Sequence, residues 1–97
     1  MITHSVFFTL KHPQGSAAEA EFLRAANVLV GIPGVRNFAK LKEVSPKNDF
    51  HFGFTMQFEN QQAYDGYNIH PDHVAFVNNR WIPEVKRFQE IDHVTLV

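Results

Sequence analysis

Phe50-His51-Phe52-Gly53-Phe54-Thr55-Met56-Gln57-Phe58 places Phe or Met at every second position. A period of two is the side-chain period of a β-strand, so one face of this segment is unbroken Phe and Met. The other face carries His51, Gly53, Thr55 and Gln57. Immediately before it, Ser45-Pro46-Lys47-Asn48-Asp49 has the composition of a turn. Before that turn, Val35 to Val44 with apolar Val35, Phe38, Leu41 and Val44 reads as another strand, with a helix as the competing reading. Residues 2 to 10 repeat the strand period: Ile2, His4, Val6, Phe8 and Leu10 share one face, Thr3, Ser5, Phe7 and Thr9 the other. Between these two strands Ser16-Ala17-Ala18-Glu19 has the spacing of a capping box, and Phe22, Ala25, Ala26 and Leu29 follow at helical spacing. Gly31 and Pro33 stop that helix near Val30.

Past Phe58, Asn60 is placed to cap a short helix through Ala63, Tyr64 and Tyr67. Pro71 blocks its continuation and pre-sets the first turn of a second piece running to about Trp81, where Pro83 is expected to end it. Phe88 to Val97 reads as a closing strand, bulged because its alternation is imperfect. The order is βαββαβ. It predicts one α+β domain over residues 1–97, ferredoxin-like, with a four-stranded antiparallel sheet and both helices on one face. The bare face, with Thr3, Ser5, Phe7, Thr9, His51, Thr55 and Gln57, holds little charge for a surface meant for water. A homodimer joined sheet to sheet, closing an α/β barrel, is therefore expected.

The 97 residues contain no cysteine, which excludes disulfides, thiol nucleophiles and thiolate metal sites. Nine Lys and Arg against ten Asp and Glu, with no run of one sign, give no footprint for nucleic acid or an anionic membrane. No apolar stretch approaches the ~20 residues of a spanning helix, and Met1 to Phe8 shows no secretion signal, so a cytoplasmic location is expected. Six histidines stand out, because protonating all of them would take the formal charge from −1 to +5. Phosphate loops, HExxH and GxSxG are absent.

Tyr67-Asn68-Ile69-His70-Pro71-Asp72-His73-Val74-Ala75-Phe76 carries an HPxH segment. Together with His4, Ile32-Pro33-Gly34-Val35, Phe58-Glu59 and the run from Phe88 to Asp92, it resembles the stress-responsive A/B barrel (Dabb) family over nearly the whole chain. The resemblance implies a homodimeric α/β barrel. One branch of that family, the polyketide cyclases of the olivetolic acid type, works without metal or organic cofactor through a histidine, a tyrosine and an aspartate. By that resemblance His73 is the catalytic base, Tyr67 the tyrosine beside it, Asp92 the aspartate that orients His73, and His4 a residue lining the pocket. The tyrosine those cyclases carry on the first helix falls near Ala25 or Ala26 here.

These residue types suit proton abstraction next to a carbonyl. Neutral His73 would remove the proton, Asp92 would fix its tautomer, and Tyr67 would donate to the developing oxyanion. The first turn after Pro71 favours neutral imidazole at His73, while Asp72 and Asp92 favour imidazolium, so sequence leaves the direction open. Phe8, Phe22, Phe54 and Trp81, with His4, are the expected lining of an apolar substrate pocket. His70 and His73 are one turn apart but lack further convergent ligands, so no metal is expected. Two functions follow: a cofactor-independent enzyme acting on a small apolar carbonyl compound, or a stress-related barrel that binds without turnover.

Overall fold

The computed structural model describes residues 1–97. Strands β1 (Ile2–Leu10), β2 (Arg36–Lys42), β3 (Phe52–Phe58) and β4 (Val85–His93) form one antiparallel sheet in the order β2-β3-β1-β4. Helix α1 (Ala17–Ala25) joins β1 to β2, and α2 (Gln61–Ile69), α3 (Pro71–Phe76) and the short α4 (Ile82–Glu84) join β3 to β4. This is the α+β, ferredoxin-like arrangement expected from the element order.

Cross-strand register puts Val6 opposite Phe54 and His4 opposite Met56, so the alternating Phe and Met face of β3 merges with the apolar face of β1. Phe22 of α1, Tyr64 and Tyr67 of α2, and Phe76 of α3 cover that shared face. Phe8, Phe22, Phe54, Met56 and Phe58 are the largest side chains sealed inside. Burying one such side chain contributes roughly 1.5–3 kcal/mol, and edge-to-face rings such as Phe8 and Phe22, 5.8 Å apart, add to that.

The caps at the helix starts hold with one change. Ser16 Oγ accepts from the Glu19 amide at 3.2 Å, but Glu19 Oε1 reaches the Gly15 amide, because the Ser16 amide already bonds Pro13 O. Asn60 Oδ1 accepts from the Ala63 amide at 2.9 Å as expected. The first helix tightens to a 3₁₀ turn over Ala26–Gly31 before Gly31 and Ile32 release it.

Other boundaries moved for identifiable reasons. β2 is a strand, not a helix, and is shorter than Val35 to Val44; its register slips between Arg36 and Ala39, where Asn37 takes a left-handed φ of 54°. β4 begins at Val85 rather than Phe88, because buried Val85 pairs with Leu10 and the bulge lies at Lys86, which disguises the alternation. It ends at His93, which pairs with Thr3. Pro83 does not end the last helix. A π-helical turn over Val77–Trp81, in which the Ile82 amide bonds Val77 O, leads into α4, and Pro83 sits in α4's first turn.

Candidate functional site

His4 and Asp92 face one another across β1 and β4. His4 Nδ1 lies 2.6 Å from Asp92 Oδ1. Tyr64, presented from α2, donates its hydroxyl to Asp92 Oδ2 at 2.9 Å, and its oxygen lies 3.0 Å from the same His4 nitrogen. The carboxylate therefore holds the proton of neutral His4 on Nδ1 and leaves Nε2 as an acceptor. Every fully buried side-chain polar atom of the structure has a partner, and His4 Nε2 has none, so that nitrogen must open onto free space. The free space beside it is a cavity.

The cavity measures about 330 Å³, within the range of small-molecule sites. Val6, Phe54 and Met56 form its floor from the sheet, and Phe76, Val77 and Trp81 wall it from the helical side. Its polar side chains are His4, His73 and Glu90, joined by the Tyr67 hydroxyl, which also lacks a protein partner and by the same reasoning opens on the cavity.

His73 does not pair with Asp92, contrary to the sequence expectation. Asp92 is taken by His4 and Tyr64, because β-sheet register rather than helix position decides what it faces. The corner between α2 and α3 places His73 elsewhere: His70 Nδ1 accepts from the Asp72 amide at 3.1 Å, capping α3. Two positions beyond Pro71, His73 then donates Nδ1–H to the free carbonyl of Asn68 in the last turn of α2, at 3.0 Å. Nε2 is left as the acceptor on a ring that lines the cavity. Burial lowers the His73 pKa below the ordinary imidazole value, against an upward pull from the Asn68 carbonyl, and nearby His4 lowers it further while Glu90 raises it. The open question of direction is thus answered toward neutral imidazole. Tyr67 packs against that ring with centroids 4.4 Å apart, and burial pushes its phenol pKa up, so it remains a proton-bearing donor.

Of the residues expected to line a pocket, His4, Phe54 and Trp81 do. Phe8 and Phe22 do not. Both are fully buried, Phe8 beneath Phe54 and Trp81 with centroids 4.8 and 5.0 Å away, and Phe22 against Phe76 on the α1 side. No three His, Cys, Asp or Glu side chains converge in a metal-binding group.

The sequence matches the stress responsive A/B barrel domain, Dabb, over residues 2–95. The chain belongs to that family. Its structure is similar to that of a Dabb family protein with a ferredoxin-like fold from Mesorhizobium loti, at 55% identity and a TM-score of 0.97, covering 99% of this chain and 97% of that one. A dimeric ferredoxin-like protein of unknown function from Thermobifida fusca is 18% identical with a TM-score of 0.76, over 97% and 90% of the two chains. The hydroxynitrile lyase of Passiflora edulis, at 13% identity and a TM-score of 0.84 over 98% and 93%, shares the fold. Among curated proteins none matches this Dabb chain. No helix is long and apolar enough to cross a membrane.

Two members of this Dabb site were not singled out from sequence. Tyr64 reads as a core aromatic, and its link to His4 depends on how α2 lies over the sheet. Glu90 had a signal: Phe88, Glu90 and Asp92 alternate, so a carboxylate two residues before Asp92 shares its face.

Proposed function

We propose that this Dabb domain is a cofactor-independent enzyme of the cyclase, lyase or isomerase type that moves a proton next to the carbonyl of a small, largely apolar compound. One observation carries the reading: two imidazole acceptors and a phenolic donor converge on a single apolar cavity. His73, kept neutral by burial, is the general base through Nε2. Tyr67 donates to the carbonyl oxygen as it gains negative charge. Asp92 acts through His4, not through His73, by fixing the tautomer that offers Nε2 to a second polar group of the ligand. Phe54 and Trp81 hold the apolar part.

The same proposal includes a cytoplasmic homodimer. The face of the sheet away from the helices groups Phe7, Leu41 and Ile91 around Ser5 and Thr55, whose hydroxyls bond each other at 2.9 Å. A second copy of that face would cover it.

A thermal-shift screen of small aryl ketones, aldehydes and phenols, run on the wild type and on His73→Ala, tests the enzyme reading. Stabilisation of the wild type that the variant loses in part supports it. If no carbonyl or phenolic compound raises the melting temperature, the cavity is not a site for this class.

A further inference from the structure

Glu90 stands on the helix-side face of the edge strand β4, opposite Val6 and between Phe88 and Asp92 in the alternation. Its side chain lines the cavity. Unlike Asp92, it forms neither an ion pair nor a hydrogen bond. No Lys or Arg is among the lining residues to balance it. Arg80, next to Trp81, is held by Glu21 and Glu84, and Arg87, the neighbouring cation on β4, lies 3.5 Å from Asp49. Beside Glu90 the rings of Trp81 and Phe88 meet edge to face with centroids 5.5 Å apart, an aromatic wall next to a carboxylate.

We propose that Glu90 sets the specificity of the cavity, so that the ligand is an aromatic or similarly apolar compound bearing a hydroxyl or ammonium donor toward β4, and compounds bearing a carboxylate or phosphate are rejected. This rests on the function proposed above and adds the chemical class of the substrate. Glu90 is exposed at the edge of a largely apolar cavity, so it repels an anion that seats its apolar part on that lining and turns its charge toward β4. It gains a charge-assisted hydrogen bond from a hydroxyl or ammonium, and the flanking indole and phenyl faces favour a cationic group as well. The reach of this charge is visible in its neighbours: it contributes to the raised pKa of Tyr64 and Tyr67 and pulls that of His73 upward against burial.

Trp81 is the only tryptophan and lines the cavity, so its fluorescence reports occupancy. Benzyl alcohol, benzylamine and benzoate, three probes of nearly one size, are titrated at pH 8, where unperturbed imidazoles are neutral. The wild type should bind the alcohol and the ammonium at least tenfold more tightly than benzoate, and Glu90→Gln should bring all three within about threefold by removing the like-charge repulsion. Glu90 is exposed on an edge strand, so the variant keeps the fold. Equal binding of the three by the wild type, or an unchanged preference in Glu90→Gln, would overturn the specificity role and leave the cavity as a site. No binding of any probe to the wild type would overturn both the specificity role and the function on which it rests.

Discussion

The carboxylate of Asp92 holds the imidazole of His4, Oδ1 to Nδ1 at 2.6 Å, although 88 positions separate them in the chain. Antiparallel pairing of the first and last strands brings them together, and Tyr64 locks the arrangement by bonding to both. A histidine buried in an apolar sheet face is thereby satisfied on one nitrogen and available on the other.

Asp92→Asn should therefore alter His4 before it alters the fold. The amide can donate as well as accept, so the preference for a proton on Nδ1 weakens. Long-range nitrogen NMR of the imidazoles should show one dominant tautomer for His4 in the wild type and a mixture in the variant. Because the Asp92 side chain is 41% exposed, solvent screens the pair and the stability loss should stay near 1 kcal/mol. An unchanged His4 signal would mean that Tyr64 alone sets the tautomer.

His73 ties stability to pH. Its folded-state pKa lies below the unfolded value of about 6.5, so the unfolded chain binds more protons in the window between the two. Stability is thus fully present above about pH 6.5 and is lost as pH falls through the folded pKa. The melting temperature of the wild type should drop more between pH 7 and pH 5 than that of His73→Gln. A proton NMR titration should place His73 below the ordinary imidazole value of about 6.5. Proton transfer by His73 should likewise rise with pH to a plateau.

The strand content and the side-chain faces could be read from sequence because alternation is a local signal, as in Phe52 to Phe58. The bulges at Asn37 and Lys86 could not, since each inserts one residue that shifts the period and blurs a boundary. The site divides along the same line. His73, Tyr67 and His4 are marked by the HPxH segment and the first strand, and the structure sets all three around one cavity. The partner of Asp92 depends on register between strands at opposite ends of the chain, which no local pattern encodes. Phe8 and Phe22 were expected at the pocket because apolar periodicity marks burial without distinguishing a wall from the layer beneath it.

The open sheet face can be probed through Phe7 and Gly53. A Cβ at Gly53 would come within 2.6 Å of the Phe7 ring, so Phe7 lies flat over the glycine. Gly53→Ala should cost about 1–3 kcal/mol by forcing that ring away, and Phe7→Leu in the same chain should recover part of the loss. Phe7→Glu puts a charge at the centre of the proposed dimer face. Light scattering at micromolar concentration should give a dimer for the wild type and a folded monomer for Phe7→Glu. A wild-type monomer would rule out the sheet-to-sheet pairing.

Catalysed exchange of α-protons for solvent deuterium in a small aryl ketone, such as phenylacetone, follows proton transfer itself without needing the physiological substrate. His73 Nε2 would take the proton while Tyr67 holds the carbonyl oxygen, and return of a deuteron would label the ketone. By NMR the wild type should exchange the ketone faster than buffer, and His73→Ala should lose that enhancement by roughly 10²-fold or more with its fold intact. Exchange by the wild type no faster than buffer, for ketones that bind in the cavity, or equal exchange by His73→Ala, would contradict the assignment of His73 as the base.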